Sequence, residues 1–215
     1  MSHLFLRRLA LRALAAMALL AAAPAFAQTP AVAPPPEPPA TVKVTLTTSE
    51  GPIVLELQKD KAPITTANFL RYVDQKRYDG ATFYRASKTP NAPELGLIQG
   101  GVQNDPARVL KPIAHEPTTR TGLSHTDGAI SMGRFDPGSA TSDFFIVLGD
   151  MTYMDANPAL PGDNLGFAVF GKVVDGMDTV RKILAAPTSA TKGEGVMKGE
   201  ILAQPVKIIT ARRAG

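Results

Sequence analysis

Beyond residue 41 the chain alternates. Val42, Val44 and Leu46 are separated by polar residues, Ser49-Glu50-Gly51-Pro52 breaks the run, and Ile53, Leu55 and Leu57 alternate again. A period of two places each apolar set on one face of a strand, so this segment predicts a β-hairpin. From Pro63 to Arg77 the period lengthens. Pro63 suits a first helical turn, Thr65 and Thr66 are capping candidates, Phe69, Leu70 and Val73 form an apolar stripe, and Tyr78-Asp79-Gly80 stops it. Short β-like runs follow at Thr82–Arg85, Leu97–Gly100, Ala129–Met132, Asp143–Leu148, Phe167–Val173 and Val206–Ala211, and Met177, Val180 and Leu184 mark a second helix after Gly176. Eight strands and two helices predict a mainly β domain. A closed barrel is favoured because closure removes sticky edges, with a two-sheet sandwich as the pattern-level alternative.

The first 27 residues follow another pattern. Arg7, Arg8 and Arg12 precede an apolar run from Ala13 to Ala23, and Ala25-Phe26-Ala27 offers small residues two apart. That order predicts a secretory signal peptide over 1–27. The apolar run is shorter than the roughly 20 residues a spanning helix needs, so removal of the leader is expected rather than retention as an anchor. Residues 28–41 hold Pro30, Pro34, Pro35, Pro36, Pro38 and Pro39, which predicts an extended linker. Residues 42–215 then form one domain. The expected localisation is export, into a periplasm.

Composition narrows the chemistry. The chain has no cysteine, which excludes thiol catalysis, zinc–thiolate sites, iron–sulfur clusters and a lipid anchor on cysteine. Lys and Arg outnumber Asp and Glu by 23 to 19, but without the leader the count is 20 to 19. That near-neutral balance offers no electrostatic reason to expect a nucleic-acid partner or an anionic membrane surface. His115, Glu116, His125 and Asp127 lie close together, but their spacing fits no zinc pattern, and loop hydrogen bonding is expected of them. No Gly-x-Ser-x-Gly elbow accompanies Ser142 and Asp143, so a hydrolase triad is rejected.

Several ordered stretches carry the functional reading. They are Phe83-Tyr84-Arg85, Ile98-Gln99-Gly100-Gly101, Ile130-Ser131-Met132, Ser142-Asp143-Phe144-Phe145-Ile146, and Ala168-Val169-Phe170-Gly171-Lys172-Val173 with Gly176-Met177. Together they resemble the cyclophilin family of peptidyl-prolyl cis-trans isomerases, in that family's order and over nearly the whole domain. The resemblance implies a closed eight-stranded antiparallel barrel capped by two helices, with a substrate groove on its outer face. It implies Arg85 as the catalytic group. Leu97, Phe145, Met154 and Phe167 match pocket walls, Gln99 a binder of the substrate backbone, and Gly133 and Arg134 a stretch whose main chain pairs with the peptide. Tyr153 stands where many eukaryotic relatives have tryptophan. No metal or cofactor is expected, the partner is a proline-containing segment of an unfolded or folding exported protein, and the enzyme is expected to be a monomer. Strand parity groups Phe83 with Arg85, Leu97 with Gln99, and Asp143 with Phe145.

The chemistry suits that site. Resonance raises a barrier of about 18–20 kcal/mol to amide rotation, and prolyl bonds exchange over tens of seconds or longer. No bond breaks, so a catalyst needs an apolar seat for the ring and a donor for the nitrogen lone pair that appears at the twisted state. An arginine supplies such a donor. Two departures from the family stand out. Gly96 aligns where a pocket phenylalanine is usual, with Leu95 or a proline of the long loop 86–95 expected to fill the gap. Asp143 replaces a glutamine and is expected to pair with Arg85, so that Asp143→Gln raises turnover. The competing readings are a non-catalytic proline-peptide-binding module of the same fold and a structural envelope protein. The turn at Gly193-Glu194-Gly195 lacks a phosphate-loop lysine, and the C-terminal Lys and Arg residues are expected to be solvated.

Overall fold

A computed structural model describes residues 40–214; the leader and all but the end of the linker lie outside them. Eight strands run in chain order: β1 Thr41–Thr48, β2 Gly51–Gln58, β3 Thr82–Thr89, β4 Ala92–Gly101, β5 Ala129–Met132, β6 Phe144–Leu148, β7 Ala168–Asp175 and β8 Ile201–Arg213. Every pairing is antiparallel, and the order β1-β2-β7-β5-β6-β4-β3-β8 returns to β1, so the barrel is closed. The sandwich alternative is thereby excluded.

The inward row of each strand fills the interior. Val44, Leu46, Ile53, Leu55, Leu57, Phe83, Ile98, Ile130, Phe144, Ile146, Phe170 and Ile208 are all fully buried in one cluster. Helices α1 (Pro63–Asp74) and α3 (Met177–Ala185) add Phe69, Tyr72, Val73, Val180, Ile183 and Leu184 to the same core. Phe69 sits 5.0 Å from Tyr78 and 5.3 Å from both Phe144 and Phe170, centroid to centroid. A single helical turn, α2 (Thr118–Thr121), has no apolar period and escaped the sequence pattern.

Four expectations change. α1 ends at Asp74, three residues before Arg77. Its cap is neither Thr65 nor Thr66. Ala62 is the boundary residue, and the orphan donors are taken by the buried carboxylate of Glu116, which accepts from Ile64 N at 3.2 Å, Thr65 N at 2.7 Å and Thr65 Oγ at 2.7 Å. Residues 86–95, read as a long loop, instead extend β3 and β4 into a tall hairpin turning at Asn91, whose φ is 64°. Two C-terminal arginines are not merely solvated: Arg212 holds Asp79 and Arg213 holds Asp74, each at 2.7 Å. Those guanidinium hydrogen bonds keep both carboxyls below the usual aspartate range.

Candidate active site

One row of side chains crosses the barrel's outer face. Arg85 on β3 pairs with Gln99 on β4, Gln99 with Phe145 on β6, Phe145 with Ser131 on β5, and Ser131 with Val169 on β7. The adjoining inward row is Ala86, Ile98, Ile146 and Ile130. Alternation alone therefore gives the interior its aliphatic residues and the outer surface its chemistry.

Parity misplaces one residue. The β3 register shifts between Phe83 and Arg85, with Tyr84 as the extra residue of a bulge. Phe83 is thus buried inside while Arg85 faces outward, instead of the two sharing a face. The bulge also turns Tyr84 so that its hydroxyl donates to Asp143 Oδ2 at 2.8 Å. Burial foremost, then the Asp143 charge, raises the Tyr84 pKa far above the ordinary phenol value, so this hydroxyl stays a donor.

Arg85 is held from two sides. Its Nη1 donates to Gln99 Oε1 at 2.8 Å, while Nε and Nη2 reach Glu200 Oε2 at 2.8 and 2.7 Å. Because arginine has no acceptor, Gln99 must turn its oxygen to Arg85 and its amide nitrogen the other way, toward Gly133. Glu200 had no sequence signal: it lies 115 residues from Arg85, just past the turn at Gly193–Gly195.

Beside the arginine lies an apolar cluster of Phe145, Val147, Met151, Val169 and Ala129, with Leu97, Met154 and Phe167 packed on it. Phe145 meets Phe167 edge to face at 5.4 Å and stacks on His125 at 5.8 Å. His125 is itself bound, Nδ1 to Asp155 at 2.6 Å and Nε2 to Ser131 Oγ at 3.0 Å. Burial lowers the His125 pKa, with the Asp155 carboxylate acting in the opposite sense.

The loop after β5 adds two cavities that meet at Arg134 and Phe135. One, of about 240 Å³, is lined by Gln99, Gly133, Asp143 and Met197 among others. The second, of about 340 Å³, is lined by Tyr153, Met154, Phe167 and Leu160. Arg134 walls both, but its side chain is spent: it binds Asp163 through Nη1 at 2.6 Å and Nη2 at 2.9 Å, takes the Gly166 carbonyl through Nε at 2.9 Å, and lies 5.1 Å above the Phe167 ring.

Comparison with known proteins places the chain in a family. A family model described as cyclophilin type peptidyl-prolyl cis-trans isomerase/CLD matches residues 43–213. The chain belongs to that family. It is 39% identical over 177 residues to a peptidyl-prolyl cis-trans isomerase of Acinetobacter baylyi, covering 80% of this chain and 86% of that one. It is 35% identical over 199 residues to peptidyl-prolyl cis-trans isomerase A of Dickeya dadantii, covering 90% and 93%. A crystal structure of a Cryptosporidium parvum cyclophilin type isomerase superposes with a TM-score of 0.65 at 19% identity, over 82% of this chain and 99% of that one, which speaks for the fold. The protein is a cyclophilin-type peptidyl-prolyl cis-trans isomerase.

Within this cyclophilin, Arg85, Gln99 and Phe145 form one row and Leu97, Met154 and Phe167 one cluster. Gly133, Arg134 and Asp143 line the neighbouring cavity, and Tyr153 stands 79% exposed at the rim of the second. The expected Asp143–Arg85 ion pair does not form. Asp143 accepts instead from Tyr84, from Gln103 N at 3.0 Å and from Ser142 Oγ at 2.8 Å, so the reason for expecting Asp143→Gln to raise turnover is gone. Gly101 permits this placement, since a Cβ there would stand 2.1 Å from Asp143 Oδ1. Gly96 is not a pocket wall with its side chain missing. Its φ is 145° and a Cβ would lie 2.0 Å from the Ser87 carbonyl, so the hairpin requires glycine here. Leu95 does not fill a gap either; it lies over Gly149, in a cleft with Pro93 and Leu148. His115 Nε2 meets the Leu165 carbonyl, and Asp127 accepts from Gly149 N. Along with Glu116 and His125, these residues are occupied by structural hydrogen bonds.

Proposed function

We propose that this isomerase accelerates Xaa-Pro rotation in unfolded or folding exported proteins, as a monomer in the periplasm, with Arg85 as its catalytic residue. The observation that carries the reading is the Arg85–Gln99–Phe145 row, which sets a permanent donor beside an apolar seat. The proline ring sits against Phe145, Leu97, Met154 and Phe167. Gln99 donates its amide N–H to the carbonyl before the proline, and the Gly133–Arg134 main chain lines up the preceding residues. As the C–N bond twists, conjugation is lost and the nitrogen becomes an acceptor. An Arg85 N–H then makes a hydrogen bond stronger in the twisted state than in either planar isomer, which is what lowers a barrier. The leader-like residues 1–27 and the Pro/Ala-rich 28–41 support export; no nucleic acid, membrane anchor, metal or cofactor enters the scheme.

The test compares the domain with Arg85→Ala on a short proline peptide, following cis-trans exchange by NMR. A single preorganised donor is worth about a hundredfold or more, so Arg85→Ala should lose most of the acceleration. Peptide binding with no acceleration by the wild type would favour the non-catalytic binding module, and a fully active Arg85→Ala would remove the arginine from the mechanism.

A further inference from the structure

Arginine is a flexible side chain, and a flexible donor is a poor catalyst unless something fixes it. Glu200 is placed to do so. It is the last residue before β8, and its own backbone is locked to β3: Ala86 N donates to Glu200 O at 2.9 Å, and Arg85 pairs with Ile201. Its carboxylate is fixed in turn, since Ser87 Oγ donates to Oε1 at 2.7 Å, leaving Oε2 for the guanidinium. Side-chain exposure is 15% for Arg85 and 27% for Glu200, so water competes only weakly for this pair.

Counting hydrogens shows what remains. A guanidinium has five N–H groups. Glu200 takes the Nε–H and stands 2.7 Å from Nη2 in the ion pair, and Gln99 takes one on Nη1. Among the described residues, both terminal nitrogens keep an N–H with no acceptor. The carboxylate side and the amide side together define the guanidinium plane, so those hydrogens point in a set direction before substrate arrives.

We propose that Glu200 is the positioning residue of this active site: it holds Arg85 so that the uncommitted N–H groups of its terminal nitrogens face the twisting prolyl nitrogen. The inference rests on the reading of Arg85 as the catalytic donor. Glu200 touches no substrate, so it acts on the rate through Arg85 and leaves peptide affinity alone. Its geometry matters more than its charge. A carboxylate beside the arginine weakens the positive field felt by the substrate, a loss accepted in exchange for order.

The variants are Glu200→Ala, Glu200→Gln, Arg85→Ala and the Arg85→Ala/Glu200→Ala pair, with kcat and peptide Kd measured by NMR exchange. Freeing the arginine rotamers should lower kcat about ten- to thirtyfold in Glu200→Ala, with Kd changed by less than about twofold. Glutamine keeps an oxygen for the guanidinium and an amide for Ser87, so Glu200→Gln should hold kcat within about threefold of wild type or exceed it. In the Arg85→Ala background, removing Glu200 should cost nothing more. The proposal is overturned if Glu200→Ala has wild-type kcat, if a folded Glu200→Gln is as impaired as the alanine variant, or if Glu200→Ala costs as much without Arg85 as with it. A fully active Arg85→Ala overturns the underlying assignment instead, and the two failures are distinct.

Discussion

Replacing Glu116 by alanine tests whether a buried carboxylate from a remote loop stabilises α1 or burdens it. Glu116 is fully buried and, among the described residues, has no cation within salt-bridge distance. Two effects compete. Desolvating an unpaired carboxylate costs several kcal/mol. Against this stand hydrogen bonds from Ile64 N, Thr65 N and Thr65 Oγ, plus the positive end of the helix. Each orphaned buried donor costs about 1–3 kcal/mol, and a charge at a partly buried helix end contributes up to about 2 kcal/mol. Alanine relieves the desolvation cost but leaves three donors with nothing, so the net loss is the second set of effects less the first. The expected loss is about 3–5 kcal/mol. A domain of this size loses about 2–4 °C per kcal/mol, so Tm should fall by roughly 6–20 °C. Differential scanning calorimetry measures the shift, and exchange kinetics well below Tm should give kcat/KM within about twofold of wild type. A Tm within about 2 °C of wild type would mean that desolvation cancels the cap, and the reasoning would fail.

The other predictions concern the pocket. His125 has its folded pKa below that of the unfolded chain, so the unfolded state takes up a proton first as pH falls. Stability should therefore be full above about pH 6.5 and decline from there down to the folded pKa. Tm against pH should lose slope in this window in His125→Gln, and an unchanged slope would exonerate the histidine. The carboxyls of Asp74 and Asp79 are also depressed, but act in a separate window, below the ordinary aspartate value. Arg134→Ala removes the clamp on Asp163 and Gly166 and the cover on Phe167. KM should rise by about three- to tenfold with kcat little changed, as expected for loss of a partly desolvated cation–π contact; a fall in kcat at constant KM would contradict it.

The strands were legible because each carries its own evidence. Val42-Val44-Leu46 and Ile53-Leu55-Leu57 needed no partner to declare which face they bury. The shared row of Arg85, Gln99 and Phe145 was legible as well: the family's ordered motifs pointed to the three residues, and parity supplied their common face. Three features were not. The Tyr84 bulge is one extra residue in a ladder, and a period of two cannot see a slip of one. The family resemblance sets Asp143 beside Arg85, but which neighbour it binds depends on that slip and on the missing Cβ of Gly101. Glu116 and Glu200 act across 51 and 115 residues, and a lone glutamate on a loop resembles any solvated charge.

The arrangement also divides labour between barrel and loops. Arg85, Gln99, Phe145 and Ser131 sit on four neighbouring strands, and every one is tied laterally by backbone pairing, so their spacing is set by the sheet itself. Met154, Phe167 and Tyr153 lie on or beside the long connection before β7, which Arg134 ties down through side-chain bonds. Sheet spacing cannot adjust to different peptides, whereas a connection held by one clamp can. Under the proposed mechanism, groups that must meet the reacting nitrogen therefore belong on the strands, where a displacement of about 1 Å would cost about a hundredfold in rate. Walls that must accept varied residues around a proline belong on the connection. It follows that substitutions in the row should register mainly in kcat and substitutions along the connection mainly in KM. Glu200 belongs with the row despite its place at the end of a loop, because β8 fixes its backbone to the same sheet.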